Sequence, residues 1–221
     1  MLKKSLLVAA LLSATVLSAT AQASTVDLSY VSPNTYVATS LKIDGSTSTY
    51  WMGSANLTTS DLGTVVGFCV DPLQPAVSSV NQYQSSALDA SDFISGDGTT
   101  RFANAQKLYD NAYASLSGAE QTAGFRLALW EIFHDDLSTT SGDILAVSGS
   151  NAGMLAAANT YLSALSGWST TGAYSLTFYG NNQLQDFLVA SPSAVPVPAA
   201  LPLMASGLLG FGVMRRRNKS K

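Results

Sequence analysis

The sequence predicts an α+β fold: an antiparallel β-rich domain with a central cluster of about three helices, plus a C-terminal transmembrane helix. Three observations predict it. Short runs of alternating β-branched and aromatic residues fill the first third of the chain. Three stretches of helical periodicity follow, and strand-like runs return after them. The chain then ends in a long uncharged run closed by arginines.

The strand runs are Val26 to Tyr30, Tyr36 to Ile43, Ser48 to Met52 and Gly63 to Val70. Turn formers separate them (Ser32-Pro33-Asn34, Asp44-Gly45 and Thr59-Ser60-Asp61), so antiparallel hairpins are expected. The Gly- and Asp-rich segment Asp89 to Thr100 reads as a loop. A first helix is expected over Arg101 to Leu116, with Phe102, Leu108, Tyr109, Ala112 and Leu116 apolar. The second runs from about Gly118 to Phe133 and is apolar on nearly every side from Phe125 onward, which predicts the most buried element. A third, Asn151 to Leu165, gathers Met154, Ala158, Tyr161 and Leu162 on one face. Strands resume at Tyr174 to Tyr179 and Leu184 to Val189.

The chain has 221 residues, of which only 11% are charged. All 14 acidic residues lie between Asp27 and Asp186. That stretch keeps only Lys42, Arg101, Lys107 and Arg126 as cations, four against 14, a formal −10. Such a body repels phosphate backbones, so nucleic acid is excluded as a partner. Cys69 is the one cysteine, so no intramolecular disulfide supports the fold. A body of about 170 residues can hold by its core alone.

The two ends carry targeting information. Residues 1–23 read as a signal peptide, with Lys3-Lys4, an apolar run from Ser5 to Leu17, and the small residues Ala21 and Ala23 flanking Gln22. Cleavage after Ala23 leaves Ser24 as the new N-terminus, and makes the Sec translocon and signal peptidase the first partners. Residues 24–190 form the extracellular domain. Residues 191–198 are a linker with the motif Val195-Pro196-Val197-Pro198, whose spaced prolines hold the chain extended. Residues 199–214 carry no charge, and Arg215, Arg216 and Arg217 open a basic cytoplasmic tail over 215–221. As a helix the uncharged run is about 24 Å long, slightly short of a bilayer core of about 30 Å.

This tail resembles the tripartite sorting signal of PEP-CTERM proteins, in which Val197 stands where the usual form has Glu. The resemblance implies recognition by an exosortase-type protease and membrane anchoring by the C-terminus before processing. It further implies delivery to the cell envelope or extracellular matrix of a Gram-negative bacterium, with exopolysaccharide or biofilm as the setting. The expected function is a non-enzymatic exported surface or matrix protein. A polysaccharide-binding or adhesin module is the alternative, with extracellular polysaccharide as its partner.

The body resembles the thioester-domain family through Phe68-Cys69-Val70-Asp71, Phe125-Arg126-Leu127-Ala128-Leu129-Trp130-Glu131-Ile132 and the segment Gln183-Leu184-Gln185-Asp186. In thioester-forming members the aromatic-Cys thiol joins the side chain of a Gln four residues before the Trp. Here that position is Arg126, and a guanidinium has no acyl carbon to give. Gln121 lies on another face of the helix, since five residues turn it by about 500°. Cys69, Arg126 and Trp130 are therefore degenerate thioester-like positions, and a noncovalent role is expected. The resemblance also implies that Arg126 lies near Cys69, where it pairs with an acid such as Asp71 or lowers the thiol's pKa.

No catalytic constellation stands out. His134 is the only histidine, and beside Asp135 at a helix end it reads as a cap or surface residue. One His and one Cys do not make a zinc set. Asp89, Asp92, Asp97 and Gly98 lack the alternation of a calcium loop and read as solvated acids. No phosphate-cradling glycine loop with Lys is present. No cofactor and no metal are expected. Trp51 and Trp168 are candidates for sugar stacking or for the core.

Overall fold

The computed structural model describes residues 23–93 and 97–193. The sorting motif, the expected membrane helix, the basic tail and the signal segment before Ala23 lie outside the described residues. Among the described residues, no helix is long and apolar enough to cross a membrane.

The described residues contain seven strands and three α-helices. The strands are β1 (Ser24–Ile43), β2 (Ser46–Thr59), β3 (Gly63–Cys69), β4 (Asn81–Ala87), β5 (Ile144–Ala146), β6 (Tyr174–Gly180) and β7 (Phe187–Pro192). The helices are α1 (Gly98–Ala112), α2 (Ala119–His134) and α3 (Ala152–Ala164). The sheet runs β2-β3-β7-β6-β4-β1-β5, and β1 also pairs β2. Every ladder among the described residues is antiparallel. The extra β1–β2 pairing closes six strands into a ring, which leaves β5 on the far half of β1. The α+β expectation therefore stands for the described body.

Ser32-Pro33-Asn34 is not a turn. It lies inside one 20-residue strand, where the register against β2 shifts between Tyr30 and Ser32 and again between Pro33 and Tyr36. Proline has no N–H for a ladder, and a bulge accommodates that loss. Gly53 faces this bulge with φ +151, and a Cβ there would lie 1.9 Å from the Thr35 carbonyl oxygen. Asp44-Gly45 does make the expected two-residue hairpin, with φ 47 and 81. The strand β4 falls in a stretch the sequence left unassigned, and β7 starts three residues later than expected. The Asp89 to Thr100 segment holds a 3-10 turn at Ala90–Asp92 and the start of α1.

Apolar packing divides into three parts. Val26, Leu57, Cys69, Tyr83, Tyr179, Phe187 and Val189 cluster between the strands. Phe68, on the other face of β3, packs with Tyr109, Phe125, Leu129 and Leu188 under the helices. Leu41, Met52, Leu127, Trp130 and Met154 form the third cluster. Helix α2 touches both helical clusters and is buried without interruption from Thr122 to Phe133. Burial all round explains why its sequence lacks a polar face.

Candidate functional site

A cleft of about 350 Å³ lies between the end of β3, the β1–β2 bulge, the 72–76 segment and α2. Cys69, Arg126, Trp130 and Gln185 all line it. The three positions expected from sequence are thus brought together, and Gln185 joins them from the approach to β7.

Trp130 fixes the helix to the strand. Its indole N–H donates to the Cys69 carbonyl oxygen at 2.9 Å, and both residues are buried. The Arg126 guanidinium carbon sits 4.7 Å from the Trp130 ring centroid, one turn earlier on α2. Arg126 Nη1 donates to the Trp51 carbonyl oxygen at 2.9 Å, while Nε is buried without a partner. The expected pairing with Asp71 is absent among the described residues. Asp71 Oδ1 instead accepts the Leu73 N–H at 2.9 Å, closing a local turn.

The thiol is not activated. Burial pushes the Cys69 pKa up, and the opposing pull of Arg126 is smaller. A buried, protonated thiol is a poor free nucleophile toward solvent reagents.

Gln185 is the residue that sequence reasoning passed over. Cys69 faces Phe187 across the β3–β7 ladder, and the Val70 N–H extends it by donating to the Asp186 carbonyl at 2.9 Å. Gln185 therefore stands diagonally from Cys69 and on the same face, two residues before its partner. Diagonal positions in an antiparallel pair lie about 7–8 Å apart, within reach of long side chains. The Gln185 amide Nε2 donates to the Asp71 carbonyl at 2.6 Å, so its orientation is held. The only sequence signal was its place in the Gln183 to Asp186 segment. Gln121 is exposed, and its Oε1 accepts from Ser117, away from the cleft.

Other candidate residues have structural partners. His134 Nε2 meets the Val70 carbonyl at 2.5 Å, and burial lowers its pKa. It is part-buried against β3, not a surface residue. Asp89 and Asp92 form the capping box of the 3-10 turn, and Asp97 caps α1 through the Thr99 N–H. Glu131, Asp135 and Asp136 bring ligand atoms within 4.8 Å of one another. Burial first, then Asp135, raises Glu131 to about 9, so a proton resides on that group at neutral pH.

No protein-family model and no curated protein matches the chain. Among solved structures, the N-terminal domain of the Streptococcus pyogenes pilus tip adhesin Cpa is 13% identical, with a TM-score of 0.41. The match covers 63% of this chain and 84% of that one.

Proposed function

We propose that this chain is an exported, non-enzymatic surface module that forms an internal thioester between Cys69 and Gln185 and attaches covalently to an extracellular target. The diagonal placement of a buried thiol and a held primary amide in one cleft carries this reading. The acyl donor that Arg126 cannot supply comes instead from the segment leading into β7. In the forming step, Cys69 Sγ bonds to Gln185 Cδ and the Cδ–Nε2 bond breaks. The thiol proton leaves with the nitrogen as ammonia. A hydroxyl or amine on the target then bonds to Cδ, the Cδ–Sγ bond breaks, and its proton returns to sulfur. Each molecule acts once, which is adhesion and not turnover.

Burial supports both halves. It excludes water, which would otherwise hydrolyse the acyl group, and it keeps the regenerated thiol protonated. Export is part of the same proposal, because the signal segment and the exosortase-type tail would deliver the domain to the envelope or matrix. Ser24 begins β1, so cleavage after Ala23 would remove no strand.

Intact mass spectrometry of the secreted and membrane-bound protein tests all of this. The expected species begins at Ser24, has lost its C-terminal tail, and is lighter by one ammonia. Cys69→Ala and Gln185→Ala should each show the full mass calculated from its sequence, with no loss of ammonia. Full mass, with Cys69 alkylated quantitatively after unfolding, would sink the thioester.

A further inference from the structure

The cleft holds a buried cation with no counter-ion among the described residues. Arg126 is 8% exposed, its Nε has no partner, and it makes no ion pair among the described residues. Among the described residues, no carboxylate lines the cleft around it. Burying an unpaired charge is costly, and a guanidinium presents a planar fork suited to a carboxylate.

A flat aromatic platform flanks that charge. Trp51 lines the cleft yet is 60% exposed, and Tyr36 beside it is 42% exposed. Their rings stack with centroids 5.6 Å apart and planes 20° from parallel, as a diagonal pair across β1 and β2. The carbonyl of Trp51 accepts from Arg126, so platform and cation are fixed to each other. Large stacked aromatics left open to solvent mark an interaction surface.

We infer that the cleft binds a carboxylated sugar unit at an end or side branch of an extracellular polysaccharide, its carboxylate on Arg126 and its ring on Trp51. The volume of about 350 Å³ suits one sugar ring. The surrounding body carries a formal −10, so a polymer charged at every unit is repelled many times over, whereas an isolated carboxylate meets that repulsion once and is offset by Arg126. The inference deepens the proposed function and rests on its reading of the cleft as the attachment site. The noncovalent step itself does not need the thioester.

Calorimetry on the full chain tests the inference, with an oligosaccharide ending in one glucuronic acid and the same oligosaccharide with that carboxyl reduced to an alcohol. The acid form should bind at least tenfold tighter. Arg126→Gln should erase the difference, and Trp51→Ala should weaken both forms several-fold. Intact mass of the same unmodified chain reports the ammonia loss independently of the two-ligand comparison, which separates failure of the ligand from failure of the thioester. The comparison of two ligands on the unmodified chain stands even where a variant does not fold. Equal binding of the two forms, no saturable binding to either, or tighter binding of an acidic peptide would overturn the inference.

Discussion

The Trp130 indole N–H donates to the Cys69 carbonyl oxygen at 2.9 Å, tying the most buried helix to the strand that carries the only thiol. This bond spans 61 residues of sequence and fixes the cleft wall independently of the β3–β7 ladder. It also orients the ring on which Arg126 lies.

Trp130→Phe keeps an aromatic ring and removes the donor. The buried Cys69 carbonyl then lacks that partner, a loss of about 1–3 kcal/mol. Chemical denaturation should report a destabilisation of that order. The fraction lighter by one ammonia should fall as well, because the thiol loses its fixed position. Unchanged stability with full ammonia loss would show the bond to be incidental.

Helix α2 was legible because burial on every side leaves a sequence without a polar face, and the same motif located Arg126 and Trp130. The strand β4 was not. Asn81-Gln82-Tyr83-Gln84-Ser85 turns only Tyr83 and Ser85 inward, so its pattern is too polar to register as a strand. Pro33 read as a turn because local chemistry cannot tell a turn from a bulge held by a partner strand. Cys69 was visible as a site residue from its own surroundings. Gln185 was not, since its position depends on β3 pairing with β7, a register set by tertiary packing.

Glu131 predicts an unusual pH dependence. Burial, then the charge of Asp135, raises its pKa from 4.5 to about 9. The folded state therefore binds its proton more tightly than the unfolded state. The stability this contributes is fully present below about 4.5 and is lost as pH rises toward 9. Glu131→Gln is neutral throughout and can still accept the Ser138 N–H now bonded to Glu131 Oε2 at 3.1 Å. Its Tm should exceed that of the unsubstituted chain at pH 8 and match it at pH 4, by roughly 2–4 °C for each kcal/mol recovered. Parallel Tm profiles for the two proteins would contradict the assignment.

Gly124 predicts how tightly α2 is held against α3. A Cβ there would meet the Ala157 Cβ at 2.5 Å, and the Met154 oxygen and Ala158 nitrogen at 2.8 Å. Alanine gains about 1 kcal/mol in helix propensity, whereas overpacking costs about 1–3 kcal/mol. Two of the three contacts are backbone atoms, which cannot rotate aside, so the packing cost should win. Gly124→Ala should destabilise the domain by about 1–2 kcal/mol in urea titration. A stabilised variant would mean that α3 moves freely away from α2.

Arg126 sets stability against recognition. Its charge is buried with one carbonyl partner and an orphaned Nε, and nearby Trp130 offsets only part of the desolvation. Methionine has a similar volume and no charge to desolvate. Replacing buried ionic groups by well-packed apolar ones is often neutral or stabilising by about 1–4 kcal/mol, and here no ion-pair energy is lost. Arg126→Met should therefore stabilise the domain by about 1 kcal/mol or more in denaturant titration. The same variant should lose all preference for a carboxylated ligand. Loss of stability would show that the Trp51 hydrogen bond and the Trp130 stacking outweigh the buried charge, and that Arg126 belongs to the scaffold.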